Sequence, residues 1–223
     1  MKDFVKKLVR GQLSKKQLGF FFLPLLALLL VSWLISRALY PHEGGFKMDL
    51  LQISRQGNIG MNPIGAWFFI FSTTLVGILL VFFFVHVFRV FSQERQGLWK
   101  GPELFLVSGV IGGIGLAMVA AFPEGESSII NLIHGIGSGM AFSGLGTAAG
   151  LSFLIMFIKM NKKASWPESS QAIGLFLMML QFLLMFPFIE SMSVFQWTGF
   201  YLIFVWITGL FLILPENHAM NAK

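Results

Sequence analysis

Glu124, Glu126, His134 and Glu190, together with Arg55, Asn58 and Asn62, are the side chains of this sequence whose types could do chemistry in one place. An imidazole near carboxylates suits general acid–base catalysis, here on a lipid headgroup, which makes His134 and Glu124 candidate catalytic residues. A guanidinium beside carboxamides suits an anionic headgroup, because its planar fork of N–H donors matches phosphate and carboxylate oxygens. Arg55, Asn58, Asn62 and Glu190 are accordingly candidate ligand-binding residues. His134 has a plainer reading as well: a hydrogen bond to a loop carbonyl that holds helix ends together. A metal site from His42, His134 and the glutamates has no supporting ligand spacing such as HExxH, so no metal is assigned. Ser54 and Ser127 stand in no nucleophile-elbow motif, phosphate-loop and dinucleotide fingerprints are absent, and no cofactor is called for.

These groups must be positioned by elements that live in lipid. The chain has 223 residues, is 56% hydrophobic and only 12% charged, and contains 26 Phe, with a mean hydropathy of +0.77. Such a composition belongs to a membrane protein. Crossing about 30 Å of hydrocarbon takes roughly 20 apolar residues in a helix, where every backbone group is paired internally. Six stretches qualify, at 18–40, 63–91, 102–122, 128–158, 167–189 and 194–214. The expected fold is therefore all-α: a six-helix transmembrane bundle over 18–214, a basic N-terminal segment over 1–17 and a short tail over 215–223.

Helix starts are marked separately. Asn62-Pro63 offers an N-cap and a first-turn proline, and Gly101-Pro102-Glu103 adds an acidic residue at the positive helix end. Ser165-Trp166-Pro167-Glu168 and Ser193-Val194-Phe195-Gln196 have the spacing of capping boxes.

Basic residues set the expected orientation, since Lys and Arg collect on the cytoplasmic side. With both termini inside, Lys2, Lys6, Lys7, Arg10, Lys15, Lys16, Arg89, Arg95, Lys100, Lys159, Lys162, Lys163 and Lys223 are cytoplasmic, and only Arg37, Lys47 and Arg55 are outside. The net charge of +6 is thus a topology signal, and no nucleic-acid partner is inferred from it. In the first ten residues Phe4, Val5, Leu8 and Val9 fall on one side of a helix and lysines on the other, which suits an interfacial helix on anionic lipid or else a basic tail. The first long apolar stretch exceeds a usual signal-peptide core and is read as retained.

Several membrane functions are disfavoured. No span holds a mid-membrane lysine for a retinal Schiff base or a mid-depth acid for proton transport, and His86 and His134 lie near opposite span ends, unlike a bis-histidine haem site. The clearest pattern inside the spans is small residues every four positions: Gly109, Gly113, Ala117 and Ala121, then Gly135, Gly139, Ser143 and Thr147. These stripes predict close antiparallel packing of the third and fourth spans.

The segments "QISRQGNIGMNPIGAWFFIFSTTLVGILL", "GVIGGIGLAMVAAFPEG" and "NLIHGIGSGMAF" resemble the bacterial and archaeal six-helix proteins of domain of unknown function 998, which are related in turn to the DRAM autophagy modulators and the GPI-anchor lipid-remodelling proteins. The shared pattern is a Ser and Gly before an Asn at the second span, a glycine-rich third span ending in "FP", and a histidine opening the fourth: here Ser54, Gly57 or Gly60, Asn62, Pro123 and His134. The resemblance implies a compact bundle with an outward pocket that handles lipid, in a prokaryotic cytoplasmic membrane. Three functions follow as expectations. The first is binding of a lipid or other amphiphile at the outer face, with membrane lipids as partners. The second is a membrane enzyme using His134 on acyl or headgroup moieties. The third is a non-catalytic subunit or assembly factor whose glycine stripe meets a membrane-protein partner or a second copy.

Overall fold

The computed structural model describes residues 2–41, 53–92, 100–125, 127–163 and 192–214. Among them are six α-helices and no strand: α1 (Lys2–Val9), α2 (Lys15–Ala38), α3 (Gly65–Ser92), α4 (Gly101–Ala121), α5 (Ser128–Lys163) and α6 (Met192–Ile213), with a 3-10 turn, η1 (Ile53–Gly57), between α2 and α3. Five of these helices, α2 to α6, are long and apolar enough to cross a membrane. The expected span at 167–189 lies outside the described residues, as do Glu190, Glu126, His42 and the tail at 215–223.

Local chemistry accounts for the helix ends. α2 opens with a capping box that hydropathy alone does not reveal: the Ser14 hydroxyl accepts from the Gln17 N–H at 3.2 Å and the Gln17 side chain accepts from the Ser14 N–H at 3.0 Å. Between α1 and α2 the chain reverses at Gly11, whose φ of 63° favours glycine. A methyl group there would also lie 2.9 Å from the Val85 carbonyl oxygen, so the turn is seated directly on α3. Arg89 Nη1 donates to the Arg10 carbonyl at 2.9 Å and Lys15 Nζ to the Leu212 carbonyl at 2.8 Å, tying the basic segment to the bundle. α4 begins as its sequence suggests, with Pro102 in the first turn and Glu103 beside the helix amides.

Two expected caps are employed otherwise. The Asn62 carbonyl accepts from Ala66 N–H at 2.9 Å, but its carboxamide crosses to α2. The Gln196 side chain likewise leaves its own helix and accepts from the Ile53 N–H at 3.2 Å. In both cases a polar group in an apolar surround pairs with a donor or acceptor on a neighbouring element, where an orphan would be most costly.

α4 lies between α3 and α5, and α2 packs on the other side of α3. The α4–α5 pairing is present, but its register differs from the stripes expected. Contact runs through Gly112 and Gly115 on α4 against Gly137 and Gly144 on α5: a methyl at Gly144 would sit 2.5 Å from the Gly112 nitrogen, and one at Gly115 would be 2.7 Å from the Gly137 carbonyl oxygen. Gly109, Gly113 and Ala117 instead face α3, where a methyl at Gly77 would sit 2.6 Å from the Ala117 nitrogen and one at Gly109 would collide with the Phe84 ring. Among the described residues nothing lies within 4 Å of a methyl added at Gly135 or Gly139, and the exposed Ser143 bonds back to the Gly139 carbonyl at 2.6 Å. α4 therefore carries small residues on two faces, and each lets a different neighbour approach closely.

An aromatic cluster fills the space between α2, α3 and α6. Trp33 stacks on Phe69 with centroids 5.7 Å apart and meets Phe200 edge-on at 5.3 Å. Its indole N–H donates to Thr73 Oγ1 at 2.8 Å, and the Trp206 indole N–H donates to Ser152 Oγ at 3.0 Å, so both buried donors are satisfied.

Candidate functional site

At one end of the bundle the chain folds η1 across the helix ends. Ile53, Ser54, Gln56 and Gly57 are buried, while Arg55 points into solvent. Gly57 allows this seating, because a methyl there would lie 2.9 Å from the Phe69 ring and 3.2 Å from Pro123 Cβ. The turn is tied to α6 through Gln196 and to the turn after α4 through Ser54, whose hydroxyl donates to Glu124 Oε2 at 3.3 Å. Asn62 completes the anchorage. Its Nδ2 lies 3.0 Å from the Ser36 carbonyl, 3.2 Å from Ser36 Oγ and 3.1 Å from the Gln56 carbonyl, which joins α2 to η1 beneath the rim.

Above this anchorage is a cleft of about 690 Å³ between the loop following η1 and the turn following α4, with Arg55, Asn58 and Glu124 among its lining residues. Asn58 shapes its own loop: its side-chain oxygen accepts from the Met61 N–H at 3.1 Å. Asn131 does the same for the opposite wall, donating to the Gly125 carbonyl at 2.8 Å and accepting from the Gly125 N–H at 2.9 Å. Tyr40 is close enough to feel Arg55. Burial raises the phenol pKa, and the Arg55 charge works against that rise.

His134 has a defined job at this end. Its Nδ1 lies 2.9 Å from the Phe122 carbonyl and 3.2 Å from the Val119 carbonyl, both acceptors, so the Nδ1–H tautomer fits. The reason is in the sequence. In a continuous α-helix the Val119 carbonyl would accept from the N–H four residues on, but that residue is Pro123, which has none. The last helical bond of α4 is Phe122 N–H to the Met118 carbonyl, at 2.9 Å. His134 supplies the missing donor from α5 and ties the two helix ends together. Its side chain is buried, 8% exposed.

The structure thus brings Arg55, Asn58 and Glu124 to one cleft and sets Asn62 and His134 as ties around it. No hydrogen bond joins His134 to Glu124 among the described residues; Glu124 is held by Ser54. Two further polar groups at this rim were not picked out from sequence. Arg37, in the last turn of α2, is 6% exposed, and its guanidinium lies 4.9 Å from the centroid of the Trp197 ring. Gln56 is 3% exposed, and neither amide atom of its side chain has a hydrogen-bond partner among the described residues. The signal for Arg37 is a lone cation in the last turn of an otherwise apolar span. For Gln56 a single sequence offers none.

A family model described as protein of unknown function (DUF998) matches residues 26–213. No curated protein and no solved structure matches the chain.

Proposed function

The chain belongs to the DUF998 family and spans a membrane through several helices, and on that premise we propose that it binds the phosphate-bearing headgroup of a membrane lipid in the cleft at the η1 rim. The observation that carries this reading is the exposed Arg55 guanidinium on a cleft of about 690 Å³ at the ends of membrane-spanning helices. Pockets of roughly 300–1,000 Å³ take small ligands, and a guanidinium fork pairs with phosphate oxygens through two parallel N–H donors. Glu124 lines the same cleft with one carboxylate oxygen bonded to Ser54, so the site offers an anion as well as a cation. That pairing of charges complements a zwitterionic headgroup such as phosphoethanolamine. The rim is taken to face away from the cytoplasm. In support, Lys2, Lys6, Lys7, Arg10, Lys15, Lys16, Arg89 and Lys100 all belong to elements at the opposite helix ends.

The test is native mass spectrometry of the purified protein with dioleoyl phosphatidylethanolamine. Retention of a stoichiometric lipid that falls on Arg55→Ala is the expected result, and retention unchanged by that substitution would remove the reading. The enzyme alternative has less support, since the imidazole Nδ1 is committed to backbone carbonyls. The subunit alternative is favoured by one observation: among the described residues, nothing lies within 4 Å of a methyl added at Gly135 or Gly139 on α5. Cross-linking in native membranes from a cysteine placed at Gly139 would recover a discrete partner on that reading.

A further inference from the structure

We propose that the groove between α3 and α4 seats one hydrocarbon chain of the same lipid, so that the protein holds an intact phospholipid from its bilayer rather than a free phosphate ester. This rests on the headgroup reading of the cleft. Thr74, Ile78 and Phe82 recur at helical spacing on α3 and face Ile114, Ala117 and Ala121 on α4, enclosing about 400 Å³. The floor is formed where the backbones touch, Gly77 against Ala117 and Gly113. Larger side chains stand on either side as walls, and the small Ala117 and Ala121 leave the space between them empty.

Length fits a chain within one leaflet. From Thr74 to Phe82, or from Ile114 to Phe122, is about 12 Å at 1.5 Å per residue, against roughly 15 Å for half of the hydrocarbon core. The upper end reaches the turn that borders the cleft. Phe122 lines the groove, and the next residue, Pro123, lines the cleft.

One polar atom is tucked behind the groove lining near that junction. Gly77 lies against Ala117, and a methyl at Gly113 would be 3.3 Å from Val81, so the antiparallel register sets Thr74 opposite the last turn of α4. Thr74 Oγ1 is buried there with no hydrogen-bond partner among the described residues. Threonine hydroxyls in helices can bond the carbonyl of the preceding turn; this one is left unpaired in an otherwise hydrocarbon lining. A rotation about χ1 would turn this hydroxyl toward the groove, where the ester carbonyls of a glycerophospholipid, which sit between headgroup and chains, supply acceptors.

The experiment separates chain binding from headgroup binding by chain length. Ile114 lines the deep end of the groove and is 43% exposed, so Ile114→Trp can block the groove without disturbing the core. Affinities for dioleoyl and dihexanoyl phosphatidylethanolamine are measured on wild type, Ile114→Trp and Arg55→Ala by native mass spectrometry. Ile114→Trp is expected to weaken the long-chain lipid roughly tenfold and to leave the short-chain lipid unchanged. Equal effects on both lipids, or no effect on either, would overturn the groove assignment. Arg55→Ala is expected to weaken both lipids. Should it weaken neither while Ile114→Trp still discriminates by chain length, the headgroup reading fails and the chain site stands.

Discussion

Replacing His134 tests whether the imidazole is a tie or a catalyst, and the geometry sets the size of the effect. In His134→Ala the Val119 carbonyl loses its donor, and Pro123 cannot supply another. A buried acceptor stranded in this way costs about 1–3 kcal/mol. Alanine returns up to about 0.7 kcal/mol through helix propensity, leaving a net loss of about 1–2 kcal/mol. His134→Asn places an amide N–H near the position of Nδ1 and is expected to keep most of the stability. Pro123→Ala restores a backbone N–H that can reach the Val119 carbonyl, and it keeps the Cβ on which Gly57 packs. The double variant should therefore recover at least about 1 kcal/mol relative to the sum of the single losses, since residues sharing one bond do not behave additively. Equilibrium unfolding in mixed micelles, followed by tryptophan fluorescence, measures all four corners of the cycle. Additivity within about 0.5 kcal/mol, or an asparagine variant as unstable as the alanine one, would refute the tie. An acid–base role gives a different signature: His134→Asn would fold like wild type and lose turnover.

Asn62→Leu strands the carbonyls of Ser36 and Gln56 beneath the rim, and a loss of about 2–4 kcal/mol is expected in the same unfolding assay. Trp33→Phe and Thr73→Val remove the two halves of one buried bond of 2.8 Å; their cycle should give a coupling of about 0.6–1.7 kcal/mol, as for other side-chain bonds in bilayers. The chain has no cysteine, so single cysteines at Asn58 and at Lys16 can be labelled cleanly in sealed cells with an impermeant maleimide. Labelling at position 58 alone is expected, and labelling at position 16 alone would invert the orientation.

What was legible in the sequence follows from the range of each interaction. The helices were legible because hydropathy and period are local: the apolar stretch at 128–158 falls within α5, and that at 102–122 coincides with α4 to within a residue at either end. The grouping of Arg55, Asn58 and Glu124 followed from counting spans, which sends alternate loops to the same side. The glycine register was not legible, because α4 carries both Gly109-x3-Gly113 and Gly112-x2-Gly115, and spacing alone does not say which neighbour each face meets. His134 was ambiguous for another reason. Its partners are backbone carbonyls, and every residue has one. The clue was Pro123, which removes the donor due to Val119, and it becomes informative only once α4 is known to continue to Ala121.

η1 is five residues long, yet it is fastened to α2 through Asn62, to α3 through Gly57, to the end of α4 through Ser54 and to α6 through Gln196. It acts as a keystone. Any tilting of these four helices against one another at this end must shear at least one of those fastenings, so the spread of four helix tips is slaved to a single turn. A molecule wedged beside Arg55 would feel, and resist, the splaying of those four helices.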